Sequence, residues 1–194
     1  MIRLVVKRFL LVCGVVCTLP LILLTWLEAA IMGRRYERVY GACKEILSLF
    51  PTIVGQYFRL GFYLATCRNV SPDASFMLGS MLSHRDVSVA SGVVLGVYTI
   101  IGCADIGPNV LFGARVSVIS GKYQHGRPDE RTSDQTATEQ YDLITIGANS
   151  WIGQEAIVMA NVGENCTVAA GAVLYKDAPD NCTFMGNPAR KVNL

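Results

Sequence analysis

From residue 89 onward an aliphatic or aromatic side chain returns about every six residues. The series runs Val89, Leu95, Ile101, Ile106, Phe112, Val118, and then Ile146, Ile152, Val158, Val162, Val168, Leu174. A glycine often follows directly (Gly96, Gly102, Gly107, Gly113, Gly147, Gly153, Gly163), and a small or β-branched residue often sits four positions on (Val93, Thr99, Val110, Val116, Ser150, Ala156, Cys166, Ala172). A helix repeats at 3.6 residues and a simple strand at two, so neither produces this spacing. A glycine-marked period of six is the signature of a parallel β-helix, in which three short strand-and-turn units close one coil. The aliphatic residue then points into a narrow triangular core, where successive copies stack. The small residue four later also faces inward. Gly or Asn takes the turns, where positive φ arises. The series makes four coils, and the less regular stretch from Pro72 to Ser88 supplies a lead-in coil.

The breaks in this rhythm are as informative as the rhythm. Ile101 to Ile106 is five residues and Val158 to Val162 is four, which shortens two corners. The large break is a polar insertion, residues 120–143 (SGKYQHGRPDERTSDQTATEQYDL), which carries His125. A loop of this length inside a compact repeat is where function concentrates.

Ahead of the repeat the chain changes character. Phe9 to Leu27 has no charged residue, which is long enough to cross a hydrocarbon core of about 30 Å. A cleaved leader fits poorly, because the run is too long and Leu27-Glu28-Ala29 is a weak cleavage site. The formal net charge of +2 hides an asymmetry: residues 1–68 carry nine Lys/Arg against three acids, and residues 69–194 eight against twelve. A basic, apolar front on an acidic body excludes a nucleic-acid binder, whose cations would line the folded domain. It suits an anionic membrane face. Arg3, Lys7 and Arg8 precede the apolar run and Arg34, Arg35 and Arg38 follow it, so both ends favour the cytoplasm. A re-entrant helix bent at Pro20 satisfies both flanks and is preferred to a single span. Residues 39–66 read as two amphipathic helices hinged at Pro51, lying in the membrane interface with Tyr57, Phe58, Phe62 and Tyr63 at headgroup depth. The alternative is a helical cap packed on the body. The expected division is therefore an anchor with interfacial helices over 1–68 and a β-helix over 69–194. Seven cysteines without metal-type spacing read as reduced thiols of a cytosolic setting.

Residues 151–192 (WIGQEAIVMANVGENCTVAAGAVLYKDAPDNCTFMGNPARKV) resemble the end of the hexapeptide acyltransferases, such as the maltose, galactoside and streptogramin O-acetyltransferases. The likeness extends over about residues 75–194. It implies an all-β, left-handed parallel β-helix, here preceded by an α-helical membrane-associated segment. It also implies a homotrimer with sites between subunits, acetyl-CoA as acyl donor, and an alcohol or amine acceptor. The family's catalytic histidine matches His125, and the tryptophan near the thioester matches Trp151. The coil residues lining the coenzyme match Ala170, Tyr175 and Lys176, and the basic residue meeting its phosphates matches Arg190. Tyr175 stands where the family often has Ser or Thr, and no acceptor-side residues carry over.

Imidazole suits proton transfer near neutrality, so His125 is expected to take the proton of an acceptor hydroxyl as it attacks the thioester. Glu155 or Asp142 are candidates to orient it. His84, the other histidine, reads as a turn residue paired with Asp86, with a second base as its alternative. A zinc hydratase of the same architecture needs three histidines per metal, and the chain has two. The expected function is an O-acetyltransferase at the cytoplasmic face of the inner membrane, acting on a sugar, lipid-linked or part of a surface polysaccharide. A non-catalytic scaffold in a membrane synthesis complex is the alternative. The anchor predicts recovery in the membrane fraction; recovery in the soluble fraction without detergent overturns it.

Overall fold

A computed structural model describes residues 2–120 and 141–193. Three helices, α1 (Ile2–Met32), α2 (Arg38–Ser48) and α3 (Thr52–Thr66), precede a solenoid of short strands. The first coil is β1 (Asn69–Val70), β2 (Ser75–Phe76) and β3 (Met81–Leu82). The second is β4 (Val87–Val89), β5 (Val94–Leu95) and β6 (Ile100–Ile101), and the third β7 (Ala104–Ile106), β8 (Leu111–Phe112) and β9 (Ser117–Val118). The fourth is β10 (Ile144–Ile146), β11 (Trp151–Ile152) and β12 (Ile157–Val158). The fifth opens at Val162, bridged to Ile146, and continues through β13 (Thr167–Val168) and β14 (Val173–Leu174). A sixth turn begins with Ala178 and β15 (Thr183–Met185), and β16 (Arg190–Val192) folds back antiparallel on β15.

The three faces are parallel sheets, ordered β1-β4-β7-β10, β2-β5-β8-β11-β13-β15 (with β16 at its edge) and β3-β6-β9-β12-β14. The register stacks like on like: Phe76, Leu95, Phe112, Ile152, Val168 and Phe184 form one inward column. All of these are buried, as are the small residues four positions after each aliphatic one. The four expected coils are present. The lead-in coil is as regular as the rest, and a partial sixth turn extends the solenoid beyond the expected coils.

The turns divide the glycine signal into two causes. From the second coil on, the first corner holds a residue with positive φ, and that residue is Gly92, Asn109, Asn149, Asn165 or Asn181 in successive coils. The asparagines bond in a ladder along the solenoid, Asn109 to Asn149 at 3.1 Å, Asn149 to Asn165 at 3.3 Å and Asn165 to Asn181 at 3.3 Å. The second corner uses Gly79, Tyr98, Arg115, Glu155 and Gly171, again with positive φ. The glycine directly after each aliphatic residue does a different job, since it lies where the next coil comes close. A Cβ on Gly147 would stand 2.4 Å from Glu164 N, and one on Gly153 2.4 Å from Ala170 N.

A solenoid ends in open strand edges, and α2 and α3 cover the first one. Their apolar faces enter the same core as the coils, with Tyr40 stacked on Phe62 at 5.7 Å and Tyr63 on Phe76 at 5.0 Å. The Tyr40 hydroxyl donates to Leu82 O, and the Tyr63 hydroxyl accepts from Leu82 N. Arg59 of α3 is fully buried and donates to Leu47 O, Ser48 O and Phe50 O at the end of α2 and to Phe76 O of the first coil. The helices are thus the cap of the β-helix, and Phe62 and Tyr63 are core residues rather than headgroup anchors. What α2 and α3 leave exposed is an apolar ridge at their junction, Ile46, Leu49, Phe50, Ile53 and Val54.

α1 forms the outer layer of the cap. Gly14 and Gly61 let it approach α3 closely, since a Cβ on Gly61 would stand 2.7 Å from Val15 N. The helix continues through Pro20. Proline removes one backbone hydrogen bond, and α1 packs along α3. Both ends of α1 touch the rest of the molecule: Lys7 pairs with Asp73 at 2.7 Å, and Glu28 with Arg85 at 2.6 Å. Glu28 also accepts from Val39 N and Tyr40 N, so it caps α2. The opposite face of α1, including Val5, Phe9, Val12, Val16 and Leu23, is exposed and apolar. Replacing Arg59 by Met strands several buried carbonyls, and a loss of about 3 kcal/mol or more is expected in chemical denaturation.

Candidate active-site edge of the solenoid

The third corner, joining each β3-type strand to the following coil, has no positive φ among the described residues and is where the six-residue period fails. In the third coil the inserted loop leaves at Ser120 and returns at Tyr141. Asp142 N donates to Ser120 O at 3.0 Å, and Cys103 N to Ser120 Oγ at 2.7 Å, which closes the neck of the loop. His125 lies outside the described residues.

Beside the neck is a cleft of about 270 Å³, lined by Ser83, His84, Gly102, Ser117, Ser120 and Tyr141 among others. His84 stands at its wall with its ring 4.2 Å from that of Tyr141. Its partner is not Asp86, which pairs instead with Arg68 at 3.0 Å. His84 Nδ1 donates to Glu37 Oε2 at 2.8 Å, and Glu37 Oε1 accepts from Arg85 N at 2.8 Å. Glu37 lies just before α2, so the helical cap supplies a carboxylate that fixes the imidazole tautomer. No spacing in the sequence signals a pairing across this separation.

Further along the same edge, in the fifth coil, Tyr175 and Lys176 meet Arg190 of β16. Arg190 Nη1 donates to the Tyr175 hydroxyl at 3.3 Å, and both cations lie over the Tyr175 ring, at 5.6 Å for Lys176 and 5.9 Å for Arg190. Four coils separate this cluster from His84, about 19 Å at about 4.8 Å per coil. The other expected site residues lie elsewhere on the same chain. Trp151 is half exposed on the second face beside Leu111, and Ala170 sits at the second corner of the fifth coil. Glu155 pairs with Arg115 at the second corner, on a different edge from the loop neck, while Asp142 is at the neck.

Cys103, beside the cleft, is no nucleophile. Burial pushes its thiol from 9.0 up to about 11, with the Ser120 hydrogen bond opposing, so it stays protonated at neutral pH. Burial likewise carries Cys67 up to about 12. An unfolded chain releases these protons first. Stability is therefore complete below about pH 9 and falls as pH rises through 9 to 11. Denaturation at pH 8 and 10.5 should show the drop, with Cys103→Ala reducing it.

The hexapeptide repeat of succinyl-transferase, as a family, matches residues 143–176. No curated protein matches the chain. A maltose O-acetyltransferase from Clostridium difficile 630 superposes with a TM-score of 0.57 at 19% identity, over 80% of this chain and 84% of that one. A hexapeptide-repeat-containing acetyltransferase from Vibrio cholerae gives 0.50 at 18% identity, over 80% and 89%. AntD, an N-acyltransferase from Bacillus cereus in complex with dTDP and 3-hydroxybutyryl-CoA, gives 0.50 at 14% identity, over 66% and 82%. The likeness is one of fold, the left-handed parallel β-helix of hexapeptide repeats, here preceded by a long apolar helix.

Proposed function

We propose that the protein is a membrane-associated acyltransferase that moves an acetyl group from acetyl-CoA to a hydroxyl of a saccharide. One observation carries the reading: a single edge of an acyltransferase-type solenoid gathers the loop neck, an imidazole cleft and a cationic, aromatic cluster. Lys176 and Arg190 suit the coenzyme phosphates, because fixed cations hold phosphate by charge-assisted hydrogen bonds. The thioester arm then runs along the edge toward the loop. His125 takes the proton from the acceptor oxygen as that oxygen bonds to the thioester carbon. The tetrahedral intermediate collapses, the C–S bond breaks, and the coenzyme leaves as thiolate and is reprotonated. Trp151 and Ala170 lie off this edge, so they serve the same coenzyme from a neighbouring subunit of a homotrimer. A CoA-release assay with chromatographic separation is expected to lose at least a hundredfold with His125→Ala. Arg190→Ala should weaken acetyl-CoA about tenfold in calorimetry. Wild-type protein that binds no acetyl-CoA overturns the enzyme and leaves the scaffold.

The anchor in this reading lies in the plane of the membrane. Both ends of α1 are tied to the solenoid, at Asp73 and at Arg85. A helix so pinned keeps both ends on one side of the bilayer, and the basic residues on both flanks agree with that. Its apolar outer face and the ridge at Leu49 and Phe50 then enter the acyl boundary of an anionic inner-membrane leaflet. The solenoid faces the cytoplasm, where acyl-CoA is made available. In a cysteine-free background, thiols placed at Arg3 and Gly33 should both react in inverted membrane vesicles and neither in sealed spheroplasts. Labelling from opposite sides would establish a spanning helix instead.

A further inference from the structure

The acceptor side has no counterpart in the motif comparison, and the cleft at the loop neck supplies one. We infer that this cleft holds a single sugar ring of the acceptor, with His84 Nε2 accepting a hydrogen bond from one of its hydroxyls and Tyr141 stacking against the ring. The inference rests on the acyl-transfer reading above and names the site that selects its acceptor.

Size, lining and the state of the imidazole all point the same way. At about 270 Å³ the cleft falls below the range of about 300–1,000 Å³ typical of drug-sized ligands, which suits one pyranose better than an extended nucleotide. Its wall alternates hydroxyls (Ser83, Ser117, Ser120) with apolar surface (Ile100, Val118) and an aromatic ring. That mixture matches a sugar, whose ring carries equatorial hydroxyls around apolar C–H faces. Among the described residues no Lys or Arg lines it, and the cations Lys176 and Arg190 lie at a distance along the edge. With Nδ1–H committed to Glu37, the imidazole presents Nε2 as a lone-pair acceptor. Among the described residues Nε2 has no hydrogen-bond partner. Glu37 cannot swing away, because its other oxygen holds the Arg85 N–H. The pair is therefore a preset acceptor for a donor hydroxyl rather than a free turn residue.

The position favours a sugar delivered on a lipid. Glu37 lies two residues after Arg35, and Arg34 and Arg35 are exposed just past the end of α1. With α1 in the membrane plane, the cleft opens beside the headgroup layer, within reach of a saccharide whose tail stays in the bilayer.

The chain has two histidines, so in a His125→Ala variant carrying labelled histidine every imidazole signal belongs to His84. The full chain in a sugar-free polyoxyethylene detergent is titrated with octyl β-D-glucopyranoside and with octyl N-acetyl-β-D-glucosaminide, and with octyl tetraoxyethylene as the tail-only control. The expected result is a saturable shift of the His84 Nε2 resonance with at least one glycoside and none with the control. Tyr141→Ala should weaken that titration at least tenfold. Ser117→Tyr, which fills the cleft from the wall that Ser117 forms, should abolish it. Absence of a shift with both glycosides, an equal shift with the control, or an unchanged titration in Ser117→Tyr overturns the inference. Acetyl-CoA calorimetry on the unsubstituted protein tests the enzyme reading separately. A glycoside shift without coenzyme binding upholds the sugar site and sinks the transferase, and coenzyme binding without a shift does the reverse.

Discussion

A buried guanidinium joins the two halves of this molecule. Arg59 reaches from α3 to carbonyls at the end of α2 and to Phe76 O in the first coil, and no carboxylate is among these partners. Burial disfavours its charge and pulls its pKa below the ordinary guanidinium value. The carbonyls compensate by saturating its fork of donors, while they lose their own claim on water. Removing Arg59 would strand those carbonyls and loosen the cover on the first coil. An uncovered coil presents strand edges to other chains, so the cap is what makes the solenoid a finished fold.

The cap also builds chemistry. Because α2 is docked in one orientation, the residue before it, Glu37, arrives at His84, and Glu28 arrives at Arg85. The repeat supplies a rigid edge, and the cap supplies the carboxylate that orients an imidazole on it. The inserted loop leaves from the same place, since the third corner is where the strict turn geometry of the other two corners is relaxed. The cleft and the neck of the inserted loop therefore lie where the repeat is least regular and where a second element touches it.

The coils were legible because one-sided burial writes itself into spacing. Val89, Leu95 and Ile101 point inward for the same reason their equivalents do two coils later, and the register of Leu95 on Phe112 on Ile152 follows. The glycines were legible as a mark but not as a cause: Gly147 and Gly153 are needed because the next coil's backbone crowds them, and asparagine takes the positive-φ corner. The helices misled more. Tyr57 to Tyr63 shows an apolar face at helical spacing, which says that the face is buried but not against what. Lipid and a β-helix end ask for the same residues. Pro20 is accommodated within one continuous helix. Sequence proximity points His84 to Asp86, whereas its partner is a carboxylate from the cap.

By itself the sequence determined the solenoid, its core columns, the position of the inserted loop and the apolar, basic-flanked character of the first helix. Each of these is a local pattern whose period reports which side of the chain avoids water. Only the tertiary structure decided that α2 and α3 close the β-helix, that both ends of α1 are tied to the rest of the molecule, and that Glu37 meets His84 beside a cleft. Those outcomes depend on contacts between segments far apart in the chain. Pairwise complementarity at such distances leaves no periodic trace in a single sequence.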